Sequence, residues 1–274
     1  MCFYYLLWKI FLVERVRAVE FVKEATSGRT GPAILVCEDE DDERIELFCK
    51  LSAGCDEGVR NLARELLSAY LAADLELPVP RPYLVELDPV FLDVLPEGRF
   101  RNVAGRSEYL AFGSLRVPNQ FSIWTPTTSL TAELVETAAG ILLFDGIIQN
   151  PDRRSENPNC LVRGGDVRII DHELAFTHGL VLGWRPPWEP GGMRSFETPG
   201  FHIFREPLRG LPINYEPISE RWQNISDARL EEYLDALPGE WNDARATIQA
   251  GIDLIKEARD RIDGCIDEMR RILQ

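Results

Sequence analysis

The sequence predicts an α+β chain in two lobes: a small one built on an antiparallel sheet with one helix, and a larger, mainly helical one. Three observations predict it. Alternating apolar runs separated by turn signals occupy residues 13–50, a long helical pattern near residues 57–73 is closed by a proline cluster, and helical spacing dominates after Pro126. These place the lobes at residues 1–117 and 118–274. A length of 274 residues suits one large domain or two lobes. With 45% hydrophobic, 27% charged and 9% aromatic residues, disorder and fibrous repeats are excluded.

Residues 1–13 (MCFYYLLWKIFLV) are apolar but interrupted by Lys9, and fall short of the about 20 residues that a membrane helix needs. They lack a basic leading region and a small-residue cleavage site. A first strand or helix packed on the body is expected, or else a start placed too far upstream of the patterned sequence beginning at Val13.

Strands follow at VERVRAVEFV, AILVC and RIELFCKL, the first two separated by the turn Thr26, Ser27, Gly28, Arg29, Thr30, Gly31, Pro32. The acidic run 38–43 between the last two is too charged to bury and reads as a solvated hairpin loop. Alternation puts Ile45, Leu47 and Cys49 on one face and Phe48 and Lys50 on the other, so Lys50 ends a strand. Val59, Leu62, Leu66, Leu67, Tyr70 and Leu71 recur at helical spacing, with Glu65 on the same helix, until Pro78, Pro80 and Pro82. Residues 83–95 and 108–117 read as further strands.

In the larger part, Thr128, Ser129 and Thr131 offer helix caps. Leu134, Ala138, Ile141, Leu142, Asp145 and Ile148 then carry a buried helix into Asn150. The loop NPDRRSENPN leads to two short strands, CLVR and VRIID, joined at Gly164 and Gly165. Residues 179–200, rich in proline and glycine, predict a long irregular segment. A last helix over residues 243–273 carries Ile248, Ile255, Ile262 and Met269 every seven residues, and is expected to pack on the larger lobe rather than form a coiled coil. Trp184, Trp188, Trp222 and Trp241 read as core or loop anchors.

The formal net charge of −15, from 45 acidic and 30 basic residues, speaks against nucleic-acid or anionic-membrane partners. Local basic groups would have to hold any polyanion. The six cysteines form no CxxC pair, and His172, His178 and His202 are the only histidines, so a reduced cytoplasmic setting without structural zinc is expected.

The chemistry concentrates in residues 150–171. Asp152, an asparagine five residues on at Asn157, and Asp171 at the end of a short hairpin form the layout of protein-kinase-like phosphotransferases. Phosphoryl transfer needs a carboxylate beside the attacking hydroxyl and hard oxygen ligands for Mg²⁺ bridging the phosphates. The same layout requires a glycine-containing turn, a strand lysine and a helix glutamate upstream. The turn at Ser27–Gly31, Lys50 and Glu65 occur in that order and in those elements. No GxxxxGK[ST], GxSxG or HExxH is present, which excludes the P-loop, α/β-hydrolase and zincin alternatives.

With Asn150, Asp152 and Asn157 as NxDxxxxN, IIDHELAF around Asp171, the helix ARELLSAYLAADLELPVPRP and the turn SGRTGP, the chain resembles the HipA-like kinases. These are bacterial relatives of the protein kinase and phosphatidylinositol 3/4-kinase folds. The resemblance covers roughly residues 13–176. It implies that Asp152 is the catalytic aspartate, and that Asn157 and Asp171 are the metal ligands. Lys50 would grip the α- and β-phosphates with Glu65 as its partner, and Arg154 would meet the γ-phosphate. Ser27, Gly28, Arg29, Thr30 and Gly31 would lie over the triphosphate. ATP and Mg²⁺ are the implied cofactors, and a protein Ser or Thr hydroxyl the implied acceptor.

The pattern departs from protein kinases where His172 and Glu173 follow Asp171 and where only Arg29 and Thr30 separate two glycines. Asn159 is a second amide able to share or exchange the metal role of Asn157, and His172 reads as a structural hydrogen bonder rather than a base. A small-molecule or phosphoinositide acceptor, and a nucleotide- or partner-binding module without turnover, stay open as alternatives.

Overall fold

The computed structural model describes residues 13–25, 29–180 and 183–274. Of the apolar run 1–13, expected as a first strand or helix on the body, residues 1–12 lie outside the described residues, as do Thr26, Ser27 and Gly28 of the glycine turn. The fold is mixed α/β, in two compact units. One holds the described residues up to Ala69 with Pro80–Val117 and Glu232–Ala246; the other holds Tyr70–Val79, Pro118–Glu231 and Thr247–Gln274.

The first unit is built on β1 (Glu14–Glu24), β2 (Ala33–Glu38), β3 (Arg44–Lys50), β4 (Pro82–Glu86) and β5 (Leu110–Leu115). These close into a barrel in the order β1, β2, β3, β5, β4. The expected all-antiparallel sheet is corrected by one pairing: β1 runs parallel to β4, Glu14 opposite Tyr83 and Arg17 opposite Glu86. β1 makes this possible because it is long and bulged. Its first residues pair with β4, and Arg17 onward pairs with β2 with register shifts after Ala18 and Phe21. Val16, Ala18, Leu35, Cys37, Leu47, Cys49, Val85 and Ala111 are buried in a common core. Gly113 admits the close packing inside it, since a Cβ there would sit 2.7 Å from Val85 and 3.0 Å from Leu47.

The single helix expected for this part is joined by others. After α1 (Val59–Asp74), which meets the predicted helix, come α2 (Pro89–Val94) and α3 (Arg99–Ala104). The strand expected over residues 83–95 therefore ends at Glu86. Asp88 caps α2, its side chain accepting from Phe91 N at 2.8 Å with Pro89 in the first turn, and this local capping overrides the strand-like composition. Trp241 is fully buried and donates through Nε1 to Leu110 O at 3.2 Å.

In the second unit α4 (Val135–Ile148) is buried from Ala138 to Ile148 on every face, as its nearly all-apolar sequence requires. Beside it β6 (Ser122–Ile123), β7 (Cys160–Arg163) and β8 (Asp166–Ile169) form a three-stranded sheet, one strand more than the predicted hairpin. Short α5 (Arg205–Leu208), α6 (Glu216–Gln223) and α7 (Asp227–Asp235) follow. The single terminal helix is corrected to α8 (Arg245–Asp260) and α9 (Ile262–Ile272), broken where Arg261 leaves helical geometry at φ −125°, ψ 31°. The seven-residue spacing from Ile255 to Ile262 persists across the break and conceals it. α9 packs on α4 and α6.

Candidate active site

In the first unit, alternation along β3 sends Leu47 and Cys49 into the core and leaves Lys50 on the other face, opposite Phe112 of β5. Glu65, in the middle of α1, is 3% exposed. Its Oε1 accepts from the Lys50 ammonium, so the two residues form a largely buried ion pair. Glu57 and Arg64 make a second pair beside it, Nη1 to Oε1 at 2.7 Å. The Arg64 hydrogen bond holds Glu57 below the usual carboxylate range.

The described part of the glycine turn is closed by Ala25 N donating to Pro32 O at 2.8 Å. Gly31 takes φ +64°, a left-handed conformation that favours glycine. Arg99 of α3 donates to Arg29 O at 2.8 Å, its guanidinium lying against Gly31. Thr30 is buried, while the Arg29 side chain is exposed and paired with Asp56 at 2.7 Å.

In the second unit, α4 ends at Gln149 with φ 56°, and the chain is turned back by Asn150 N donating to Asp145 O at 2.9 Å. Asn150 fixes the start of the loop at both ends of its amide: Nδ2 donates to Asp145 Oδ1 at 2.8 Å, and Oδ1 accepts from Asp152 N at 3.2 Å. Arg154 N and Asn157 O, 3.0 Å apart, close a tight turn. That turn returns Asn157, whose Nδ2 donates to Asp152 Oδ2 at 2.8 Å. Asn159, buried beneath, donates to Asp152 O at 3.0 Å and to the same Oδ2 at 3.2 Å. The β7–β8 hairpin comes back through Ile170 N to Asn159 O at 3.0 Å and delivers Asp171 at φ 63°. Aspartate tolerates that left-handed conformation better than most residues.

The Asp152 carboxyl is half-buried and titrates above its ordinary value. Burial is the main cause and the negative charge of Asp171 the next, against the Asn159 and Asn157 hydrogen bonds and the Arg154 charge. Two carboxylates and two amides thus converge in this unit. A carboxylate of raised basicity fits proton acceptance from a hydroxyl.

Arg154 is turned back over its own loop: Nε donates to Pro151 O at 2.6 Å, and the guanidinium lies 5.7 Å from the Phe201 ring centroid. Its neighbour Arg153 is fully buried, and sequence reasoning missed it. Arg153 Nε donates to Asp145 Oδ2 at 2.6 Å, and His202 Nε2 lies 3.0 Å from the same oxygen. Burial alone would raise Asp145; the Arg153 charge and the His202 hydrogen bond hold it far below the carboxylate range. Burial keeps His202 below its usual value, and its Nδ1 accepts from Phe204 N at 3.2 Å, which puts the proton of a neutral ring on Nε2. The one sequence signal for this network was Asp145 itself, a carboxylate inside an otherwise apolar helical stripe.

The family model of HipA-like kinases matches residues 18–265, which include all of these side chains. No curated protein matches the chain. Among solved structures, that of a Helicobacter pylori proinflammatory kinase, CtkA, is similar at 10% identity and a TM-score of 0.47, over 92% of this chain and 96% of that one. With the family match spanning most of its length, the chain belongs to the HipA-like kinase family.

Proposed function

We propose that the chain transfers the γ-phosphoryl group of ATP, with Mg²⁺, to a protein Ser or Thr hydroxyl. On this reading it is a two-lobed kinase, residues 1–117 the small lobe and 118–274 the large. The observation that carries the proposal is the Asp152 carboxylate, anchored through Oδ2 by Asn157 and Asn159 and kept basic by burial and by Asp171. With both amides on Oδ2, Oδ1 is the oxygen that would accept the hydroxyl proton.

The residues fit a hard divalent ion. Asn157 and Asp171 offer oxygen donors, and because the Asn157 NH₂ is spent on Asp152, its carbonyl oxygen is the end left for a cation. Asn157 is the exposed amide and Asn159 the buried one, which favours Asn157 as ligand and Asn159 as support. Mg²⁺ there would neutralise charge on the phosphates as it develops. Lys50, held by Glu65, would pair with the α- and β-phosphates, and the turn through Arg29, Thr30 and Gly31 would cover them with backbone N–H groups. Arg154 would have to leave Pro151 O to meet the γ-phosphate.

The test is incubation of a cell lysate with the chain, Mg²⁺ and γ-labelled ATP, followed by mass spectrometry for phosphoserine and phosphothreonine. Label in protein with the wild type, lost by several orders of magnitude with Asp152→Asn while ATP binding persists, is the expected result. Label confined to small molecules or lipids would move the acceptor class. Transfer at wild-type speed by Asp152→Asn would sink the catalytic assignment.

A further inference from the structure

Arg153 holds more of the second unit's site together than any residue assigned to the chemistry. Its side chain makes five hydrogen-bonding contacts at zero side-chain exposure. Nε and Nη2 donate to the two oxygens of Asp145 on α4, at 2.6 and 3.3 Å. Nη1 donates to Asn159 O and, at 3.2 Å, to Ile170 O. Nη2 also lies 2.8 Å from His172 Nε2, which must accept, because a guanidinium only donates. Ile203 N donates to the Arg153 carbonyl at 3.1 Å, tying in the segment beyond the irregular stretch.

The choice of partners is what matters. Ile170 and His172 flank Asp171 on either side. Asn159 is the residue whose amide holds both the backbone and the carboxylate of Asp152. Asp152 is itself the residue immediately before Arg153. One planar cation therefore brackets the loop carrying one carboxylate and the hairpin end carrying the other, with Asp145 on the rigid, buried helix as its anchor. The loop and the hairpin end carry like-charged side chains, and Arg153 is hydrogen-bonded to both segments. A flexible ammonium could balance Asp145 but could not donate in five directions at once.

We propose that Arg153 is a positioning residue that fixes the spacing of Asp152 and Asp171, acting through Asn159, Ile170 and His172. This rests on the assignment of Asp152 to catalysis and Asp171 to the metal. The fixed fork of Arg153 sets where the loop and the hairpin end meet, and the Asp145 carboxylate keeps that fork from rotating.

The test compares the full chain with Arg153→Lys, His172→Leu and Asp152→Asn. Three quantities are measured: turnover of γ-labelled Mg-ATP, Mn²⁺ affinity by electron paramagnetic resonance, and folding by near-ultraviolet circular dichroism. Positioning predicts a folded Arg153→Lys whose Mn²⁺ affinity and turnover each fall by about 10–100-fold, with the KM for ATP changed little, as for loss of a partner that orients a metal ligand. His172→Leu keeps an apolar group against Phe144 and removes the acceptor for Arg153 Nη2, so it should move both quantities in the same direction by less. It decides the matter if Arg153→Lys does not fold. Folded variants with unaltered Mn²⁺ affinity and turnover overturn the proposal, as does a loss of turnover that merely tracks the unfolded fraction. An inert Asp152→Asn beside an unaltered Arg153→Lys overturns the proposal alone, whereas a fully active Asp152→Asn overturns the catalytic assignment together with it.

Discussion

The Lys50 ammonium and the Glu65 carboxylate are paired with 12% and 4% of their side chains exposed. Removing one partner of a pair so buried leaves a charge in a poorly solvated place, whereas replacing both with apolar groups does not. Glu65→Ala should therefore destabilise the fold by about 3 kcal/mol, and the double variant Lys50→Met, Glu65→Leu should recover much of that loss. Urea unfolding of the three proteins measures both. Equal midpoints for the single and double variants would show that the pair has no such role.

His202 makes stability depend on pH in a defined direction. Burial against Phe196 and Phe204, helped by the Arg153 charge, keeps its folded-state pKa below the ordinary 6.5 although the Asp145 hydrogen bond and charge pull it up. Between the folded and unfolded values the unfolded chain takes up a proton that the folded chain refuses, so stability falls as pH drops below about 6.5. His202→Gln, which can still donate to Asp145, should narrow the gap in melting temperature between pH 7.5 and pH 5.5. An undiminished gap would assign the acid sensitivity elsewhere.

Glu268 of α9 pins the irregular segment to the second unit. Its Oε2 accepts from Gly191 N at 2.9 Å and Met193 N at 3.4 Å, while Arg271 donates to both of its oxygens at 2.8 Å. Burial would raise this carboxyl, but Arg271 and the two backbone donors outweigh burial and hold it low. Glu268→Ala forfeits charge-assisted hydrogen bonds each worth about 1.5–3 kcal/mol, so local opening should become at least about tenfold more frequent. Limited trypsin digestion reads this directly, because Arg194, followed by Ser195, lies next to the pinned Met193. Cleavage there at the wild-type rate would contradict the pinning.

Much of this architecture could be read from residue order. The strand ending at Lys50, the helix bearing Glu65 and the loop between a buried helix and a glycine-turned hairpin all announce themselves through periodicity and turn chemistry. What could not be read depends on distance along the chain. Arg153 finds its side-chain partners 8 and 19 residues away, and His202 reaches Asp145 across 57. It sits in a loop without periodicity, beside the equally basic Arg154, so nothing local separates the buried arginine from the exposed one. The parallel pairing of β1 with β4 escaped for a related reason: alternation tells which face a side chain takes, never which strand lies alongside. In α2, a period-two reading of apolar residues lost to a cap and a proline that together specify a helix start.

Because the five strands of the first unit pair side by side in a closed order, the sheet's two outermost strands, β1 and β4, are taken up by each other over Glu14–Arg17 and Tyr83–Glu86. An extended peptide adding itself as a strand there, a common way of capturing linear segments, would have to displace that pairing. Engagement of a polypeptide through side chains and loops leaves the barrel as it is, and selectivity should then follow from changes at those surfaces.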